Sequence, residues 1–367
     1  MSTVILFLVV IVVLVVIHEL GHFVVAKLFG IRVDEFGIGY PPRALKLFVW
    51  KKTLFSLNWL PFGGFVKIFG EETDSETNEI VLNSFSYQAK WKRSAVVLAG
   101  IVANMLLAFV LYVISFSIGF LGTPSDFSGS VVVNKPEMLV TQVVNNSPAS
   151  EAKIQAGDLI TRISAGGKTL VPYTAGNVIS FIQMNGLSPI TFSIMHMHTV
   201  RDVVVTPREG VVDGKPGIGV GLSEVSLVRL PFSKAISYAA HYTLQECKSV
   251  FTGIGAMLAS SVHGGKGGVL SEVSGPVGIA QIASQAYALG FGSFLSFVAL
   301  ISVNLAVVNM LPFPALDGGR LILELFTTDG KSRISKRVIS LINQGGFILL
   351  ILLMIYVTYH DIARLFS

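Results

Sequence analysis

Long apolar runs alternate with polar segments along this chain, and the runs differ in kind. Val4 to Ala26 is apolar almost throughout and predicts a helix able to cross a hydrocarbon core, which takes about 20 residues. Ala95 to Leu121 and Phe291 to Leu311 predict a second and a third span. Phe347 to Tyr359 predicts a fourth, short unless it draws in Ile339 to Gln344. Leu54 to Ile68 reads LFSLNWLPFGGFVKI, β-prone and apolar on both sides of Gly63-Gly64. That pattern predicts a hairpin around the glycine pair, too hydrophobic to sit comfortably in water. Residues 71–79 are polar and predict a solvated stretch, and Gly264 to Gly278 predicts a glycine-rich loop. Residues 122–222 are polar and valine-rich, with turn signals at Asn145-Asn146-Ser147-Pro148 and Gly166-Gly167, and predict a soluble β-rich domain of ordinary size. Residues 228–262 are helix-prone, but Arg229, Lys234, His241, Glu246 and Lys248 interrupt them. Amphipathic helices lying on the outer membrane surface fit that segment better than a span.

Composition agrees with the pattern: 52% of the 367 residues are hydrophobic and 13% charged, against about a quarter charged in a soluble domain. The formal net charge of +5 comes from Lys and Arg clustered beside the apolar runs, so it reads as membrane anchoring and not as a nucleic-acid surface. Lys27 and Arg32 follow the first run, and Lys46, Lys51, Lys52, Lys67, Lys90, Lys92 and Arg93 fill the next segment. The N-terminus is therefore expected outside and residues 30–93 in the cytoplasm. The β-rich segment falls outside again, while Arg320, Lys331, Arg333, Lys336 and Arg337 hold the far end of the third span in the cytoplasm. Four segments result: 1–121, the N-terminal membrane half; 122–222, the extracytoplasmic domain; 223–290, the surface region; and 291–367, the C-terminal membrane half. The expected fold class is an α-helical polytopic membrane protein of about four spans, with a cytoplasmic-side β-hairpin and an inserted β-rich domain. Cys247 is the sole cysteine, which excludes an internal disulfide and a cysteine metal cage.

The first run contains His18-Glu19-Leu20-Gly21-His22. Positions i and i+4 share a helix face, so both imidazoles can reach one metal ion, with Glu19 placed to take a proton from a metal-bound water. Two histidines and a glutamate inside a span are expensive and point to function. A catalytic zinc needs a third protein ligand and an open position, and Asp317, in Asn309-Met310-Leu311-Pro312-Phe313-Pro314-Ala315-Leu316-Asp317-Gly318-Gly319, is the best candidate. His18 lies about 21 Å along the first helix, in the cytoplasmic half, and Asp317 follows the cytoplasmic end of the third span. Pro312 and Pro314 should stop the helix there, and Gly318 and Gly319 should allow close backbone approach to the metal.

These motifs resemble the site-2 protease family of intramembrane zinc metalloproteases, and the bacterial branch that cleaves anti-sigma factors fits best. Pro61-Phe62-Gly63-Gly64-Phe65-Val66-Lys67 is similar to the family's membrane-associated hairpin, and Ser274-Gly275-Pro276-Val277-Gly278 to the loop before its third span. The resemblance implies one zinc per chain on His18, His22 and Asp317, with Glu19 as general base. It further implies that Asn309 and Asn304 meet substrate. The apolar β-edge near the zinc is itself expected to hold an unwound substrate as an added strand near Gly63, Gly64 and Phe65. Val140 to Ile163 resembles a bacterial PDZ domain, with one such unit where several relatives carry two. The implied substrates are single-pass membrane proteins, anti-sigma factors or remnant signal peptides, first cut on the outside by a site-1 protease. The implied site of action is the cytoplasmic (inner) membrane.

The remaining histidines carry blander readings. His196 and His198 alternate on an expected strand with no carboxylate nearby in sequence and read as surface residues; His241 and His263 read as interfacial. A non-catalytic PDZ adaptor is the alternative function, against which the complete metal motif argues. A transporter would use intramembrane His, Glu and Asp as an ion path, but no internal repeat of spans is visible.

Overall fold

In a computed structural model, the described residues are 3–71, 83–123, 126–127, 130–132, 134–144, 146–172, 174–196, 199–212, 215–262, 275–325, 327–328, 331–332 and 336–366. Outside them fall the polar stretch beyond Glu71, Asn145 of the turn signal, His198, His263, and residues 264–274 of the glycine-rich loop including Ser274. Contacts divide the chain into two units, one of residues 1–111, 240–283 and 298–367, the other of residues 112–239 and 284–297.

The chain opens with helix α1 (Thr3–Leu28) and a hairpin of β1 (Val33–Trp50) and β2 (Thr53–Ile68), followed by α2 (Lys90–Ile118). The β-rich part comprises β3 (Phe120–Gly122), β4 (Val131–Val132), β5 (Glu137–Val143), α3 (Pro148–Glu151), β6 (Leu159–Ala165), β7 (Lys168–Leu170), α4 (Ala175–Asn185), β8 (Ile190–His196), β9 (Thr199–Val205), β10 (Arg208–Val212), β11 (Lys215–Gly217) and β12 (Val220–Arg229). Then come α5 (Phe232–Val262), α6 (Pro276–Ala288), α7 (Phe291–Met310), α8 (Asp317–Leu325), a small hairpin of β13 (Thr327–Thr328) and β14 (Lys331–Ser332), and α9 (Lys336–Phe366).

Among the described residues, four helices are long and apolar enough to cross a membrane: α1, α2, α7, and α9 over Val338–Ala363. Helix suits these runs because hydrocarbon offers backbone groups no partner, so each N–H and C=O must pair within its own segment. The fourth span does draw in the residues before Phe347, since nothing between Lys336 and Phe366 stops the helix. In α1 the inward residues recur at every fourth position, Leu6, Val10, Leu14, His18, His22 and Ala26, whereas Val9, Val13, Leu20 and Val24 face out. The two histidines therefore belong to the same stripe as the packing residues. Phe23 and Ala26 join Ile31, Val33, Phe36, Ile68, Phe85, Val96 and Val97 in a core that ties α1 to the hairpin and the start of α2.

The hairpin forms, with its tightest turn at Lys51-Lys52. Trp50 pairs with Thr53, so the chain reverses at Lys51-Lys52, whose φ values of 46° and 66° lie in the left-handed region that two-residue hairpin turns require. Glycine or asparagine usually supplies that geometry. Ile38 pairs with both Leu57 and Gly64, so β2 folds back a second time between them, beside the glycine pair, and Gly63, at φ 94°, lies under the Tyr40 ring. From Tyr40 to Trp50 strand β1 is exposed, a long apolar ribbon including Leu45, Leu47, Phe48 and Val49.

In the second unit a six-strand path, β3-β12-β5-β6-β8-β9, carries β4 on β12 and β7 on β6. Its core gathers Met138, Val140, Ile160, Ile163, Phe181, Ile190, Phe192 and Ile194. The Ser147 hydroxyl caps α3 by accepting from Ser150 N at 3.3 Å, with Pro148 in the first helical turn, where a missing N–H costs nothing. Strand β12 continues to Arg229, past the boundary expected at 222. Residues 232–262 form one unbroken helix, α5, where more than one was expected: they contain no proline, and Gly253 and Gly255 are tolerated in mid-helix. His196 also departs from expectation. Its Nδ1 lies 2.5 Å from the fully buried Asp158 carboxylate, a partner 38 residues away that sequence proximity could not supply.

Candidate metal centre

His18 and His22 leave α1 on adjacent turns, and their Nε2 atoms stand 3.2 Å apart. Asp317, the first residue of α8, places its Oδ2 3.0 Å from His18 Nε2 and 3.3 Å from His22 Nε2. One donor atom from each residue lies within 4.8 Å of the others, and all three side chains are buried. The spacing of the first two follows from the helix. The third has a local cause in the chain between α7 and α8. Helix α7 ends at Met310, just before Pro312, and Ala315 adopts a left-handed φ of 71°. The chain then folds back so tightly that a Cβ on Gly318 would strike the carbonyls of Met310 and Leu311, and one on Gly319 the carbonyl of Phe313. The glycine pair thus lets α8 approach the end of α7; its close contact is with those carbonyls and not with a metal.

Helix α2 closes the other side. A Cβ on Gly100 would overlap His22 Nε2 and come within 2.7 Å of His18 Cε1, so only glycine lets the helix pass so near the imidazoles. Gly21 does the same for α1, facing the Ala99 carbonyl and the Ala103 methyl. Small residues at such crossings are what bring spans into close packing. His22 Nδ1 lies 2.8 Å from the Val96 carbonyl oxygen, which accepts its proton and leaves Nε2 free for a metal.

The donor set fits zinc: two imidazole nitrogens and a carboxylate oxygen converge, the number of protein ligands a catalytic site uses. A buried acceptor supports this. Asp317 Oδ2 accepts no well-aligned hydrogen bond although two ring nitrogens flank it, an arrangement that suits a shared cation better than a hydrogen-bonded pair. Glu19 adjoins the cluster and, with His22, borders a cavity of about 20 Å³, room for a water, whose far side is formed by Glu71 and Arg320. Arg320 pairs with Glu71 and lies 3.8 Å from Asp317 Oδ1.

The hairpin contributes to the same place. A Cβ on Gly64 would touch Glu19 Cγ at 3.4 Å and Val15 Cγ1 at 3.7 Å, so β2 runs past the carboxylate. Phe65 is half-buried, its ring over Gly37 of β1. Asn304 turns its amide back on α7, donating to the Leu300 carbonyl at 2.9 Å, and Asn309 is half-buried on the last turn of that helix. Several neighbours of the centre escaped the sequence reading: Gly100, Asn104, Glu71, Arg320 and the buried ion pair of Arg93 with Glu324 at 3.0 Å. Only the four-residue spacing of Gly100 and Asn104 hinted at a common face. Arg93 had been expected among the charges that anchor the membrane surface.

Comparison with known proteins bears on this centre. The family described as peptidase family M50 matches residues 6–353. A candidate zinc metalloprotease of Clostridium perfringens is 33% identical over 95% of this chain and 95% of its own. Another from Clostridium acetobutylicum is 30% identical over 96% of this chain and 94% of its own. The zinc metalloprotease RasP of Bacillus licheniformis is 28% identical over the whole of both. Among solved structures, the PDZ domain of an SdrC-like protein from Listeria monocytogenes covers 25% of this chain and 93% of its own at 25% identity, with a TM-score of 0.22, too low to argue from.

Proposed function

The chain belongs to peptidase family M50 and is a zinc metalloprotease with membrane-spanning helices, and from that premise we propose that His18, His22 and Asp317 hold its zinc while Glu19 is the general base. The observation that carries this reading is the convergence of three buried donor atoms within 4.8 Å, beside a carboxylate, on an otherwise apolar span. When bound, zinc supplies a Lewis acid that polarises the scissile carbonyl and acidifies water. The chain's own residues do the rest. Glu19 takes a proton from water in the adjoining cavity and delivers it to the amide nitrogen that leaves. Val96 holds His22 in one tautomer. Close packing by Gly21 and Gly100 keeps bulk solvent from the imidazoles.

The substrates we propose are single-pass membrane proteins, anti-sigma factors or remnant signal peptides, already shortened outside by a site-1 protease. A helix must unwind before its peptide bonds can be attacked, because its carbonyls are engaged in hydrogen bonds. Strand β2 passes Glu19 at Gly64 and pairs only with β1 among the described residues, so its other edge suits an added strand. Asn304 and Asn309 would meet the same segment. The β-rich unit, read as a PDZ-like domain outside the cytoplasmic membrane, would sort or dock substrates. Cleavage of a model membrane substrate by the purified chain tests the proposal. Wild type should cut; Glu19→Gln and a chelator-treated sample should lose activity by about 100-fold or more. Undiminished cleavage by Glu19→Gln would remove the carboxylate from the mechanism.

A further inference from the structure

Zinc can use Nε2 of a histidine only if the ring carries its proton on Nδ1, and that proton needs an acceptor. His22 has one in the Val96 carbonyl. The neighbour of His18 Nδ1 is the amide of Asn104, two turns further along α2, with Nδ2 at 3.3 Å. Asn104 is fully buried, and its Oδ1 has no hydrogen-bond partner. A half-turn of the amide exchanges the two atoms and gives His18 the acceptor it lacks. The backbone there is fixed independently, since Ser302 Oγ of α7 donates to the Asn104 carbonyl at 2.8 Å.

The geometry points to Asn104 as the positioning residue of His18: its side-chain oxygen accepts from Nδ1–H, selects the tautomer with Nε2 free, and holds the ring toward His22 and Asp317. This inference rests on the reading of His18 as a zinc ligand. The two imidazoles are thus oriented from one face of α2 by different means. Val96 acts through main chain, which substitution leaves in place. Asn104 acts through a side chain, which substitution removes.

The probe is zinc itself, titrated against a chromophoric chelator with the purified full chain in detergent. Asn104→Asp keeps an acceptor and loses the donor; Asn104→Leu loses both at similar size. Asn104→Leu should weaken zinc about 10- to 100-fold, and Asn104→Asp should stay within about threefold of wild type. Zinc affinity equal to wild type in Asn104→Leu, or an Asn104→Asp as weak as Asn104→Leu, overturns the assignment. Matching thermal midpoints of the zinc-free proteins establish that the variants fold. Should they not fold, the ¹⁵N spectrum of histidine-labelled, zinc-loaded wild type decides, with the His18 signal assigned by its loss in His18→Gln. A proton on Nδ1 supports the role; a proton on Nε2 refutes it. Wild type that binds no zinc would fail the metal centre as a whole, a result distinct from failure of Asn104 alone.

Discussion

A methyl group is the smallest change that can be made at Gly100, and the structure leaves no volume for it: the imidazole rings already occupy that space. Gly100→Ala must therefore push α2 or both rings aside, at about 1–3 kcal/mol of overpacking. Zinc affinity measured by chelator competition should fall by about 10-fold or more, whereas Gly253→Ala, in open space on α5, should change nothing. Individual residues differ sharply in how well they could be read beforehand. His18, Glu19 and His22 lie within five positions, and helical periodicity alone puts the two rings on one face. Asp317 needed an argument about depth along two spans; what brings it beside the histidines is the tight turn after α7. Gly100 and Asn104 showed no more than a shared face, because their meaning comes from a helix that begins about 100 residues earlier in the chain. At Gly63-Gly64 the sequence could not separate a turn from a close approach, since the same freedom suits both; the register puts a reversal of β2 beside the pair and Gly64 against Glu19.

Among the elements, the hairpin and α8 make separable demands. Lys51 and Lys52 hold left-handed backbone that favours asparagine and glycine, so Lys51→Asn with Lys52→Gly should stabilise the hairpin by about 1 kcal/mol. Slower amide exchange along β1 and β2 would register the gain. Proline at Val66, beyond the glycine pair on β2, should cut membrane-substrate cleavage while bound zinc stays near one per chain. Loss of both together would return the strand to a purely structural role. Helix α8 owes its placement partly to the Arg93–Glu324 pair. Arg93→Leu removes the guanidinium 3.0 Å from the Glu324 carboxylate and should loosen zinc through Asp317. The double variant with Glu324→Leu should recover much of that affinity, since replacing both charges by apolar groups is often close to neutral. The hairpin's existence was legible from its β-prone apolar run, but the turn and the 18-residue first strand were not, because β1 contains Pro41 and Pro42 and lacks an alternating pattern.

For the whole molecule, metal and fold are linked. A cation bound only by the assembled donors from α1 and α8 stabilises the folded chain, so removing zinc should lower the thermal midpoint, and Asp317→Asn should abolish that difference. The spans also differ in how firmly they are held. In α2 and α7, 44% of the most apolar window is buried, in α9 only 6%. Among the described residues, α9 packs at Gly346, where a Cβ would strike Pro314, and near its end, where the Asp361 carboxylate accepts from Gly275 N at 3.1 Å and Gly278 N at 2.8 Å. Asp361→Ala should cost about 1–3 kcal/mol and expose α9 to proteolysis before any other span. The span pattern was legible because lipid imposes one rule on length and polarity; the attachment of each span was not, because it depends on single polar contacts.

The inward stripe of α1 has a geometrical corollary. Steps of four residues advance about 400° in a helix of 3.6 residues per turn, so the stripe from Leu6 to Ala26 creeps around the axis by about 40° at each step. The first span is threaded into its surroundings like a screw, its flank rotating onto α2 as the histidines come level with Gly100. A screw cannot be drawn aside without backing out along its whole length, so the packing of α1 from Leu6 to Ala26 fixes its rotation as well as its place.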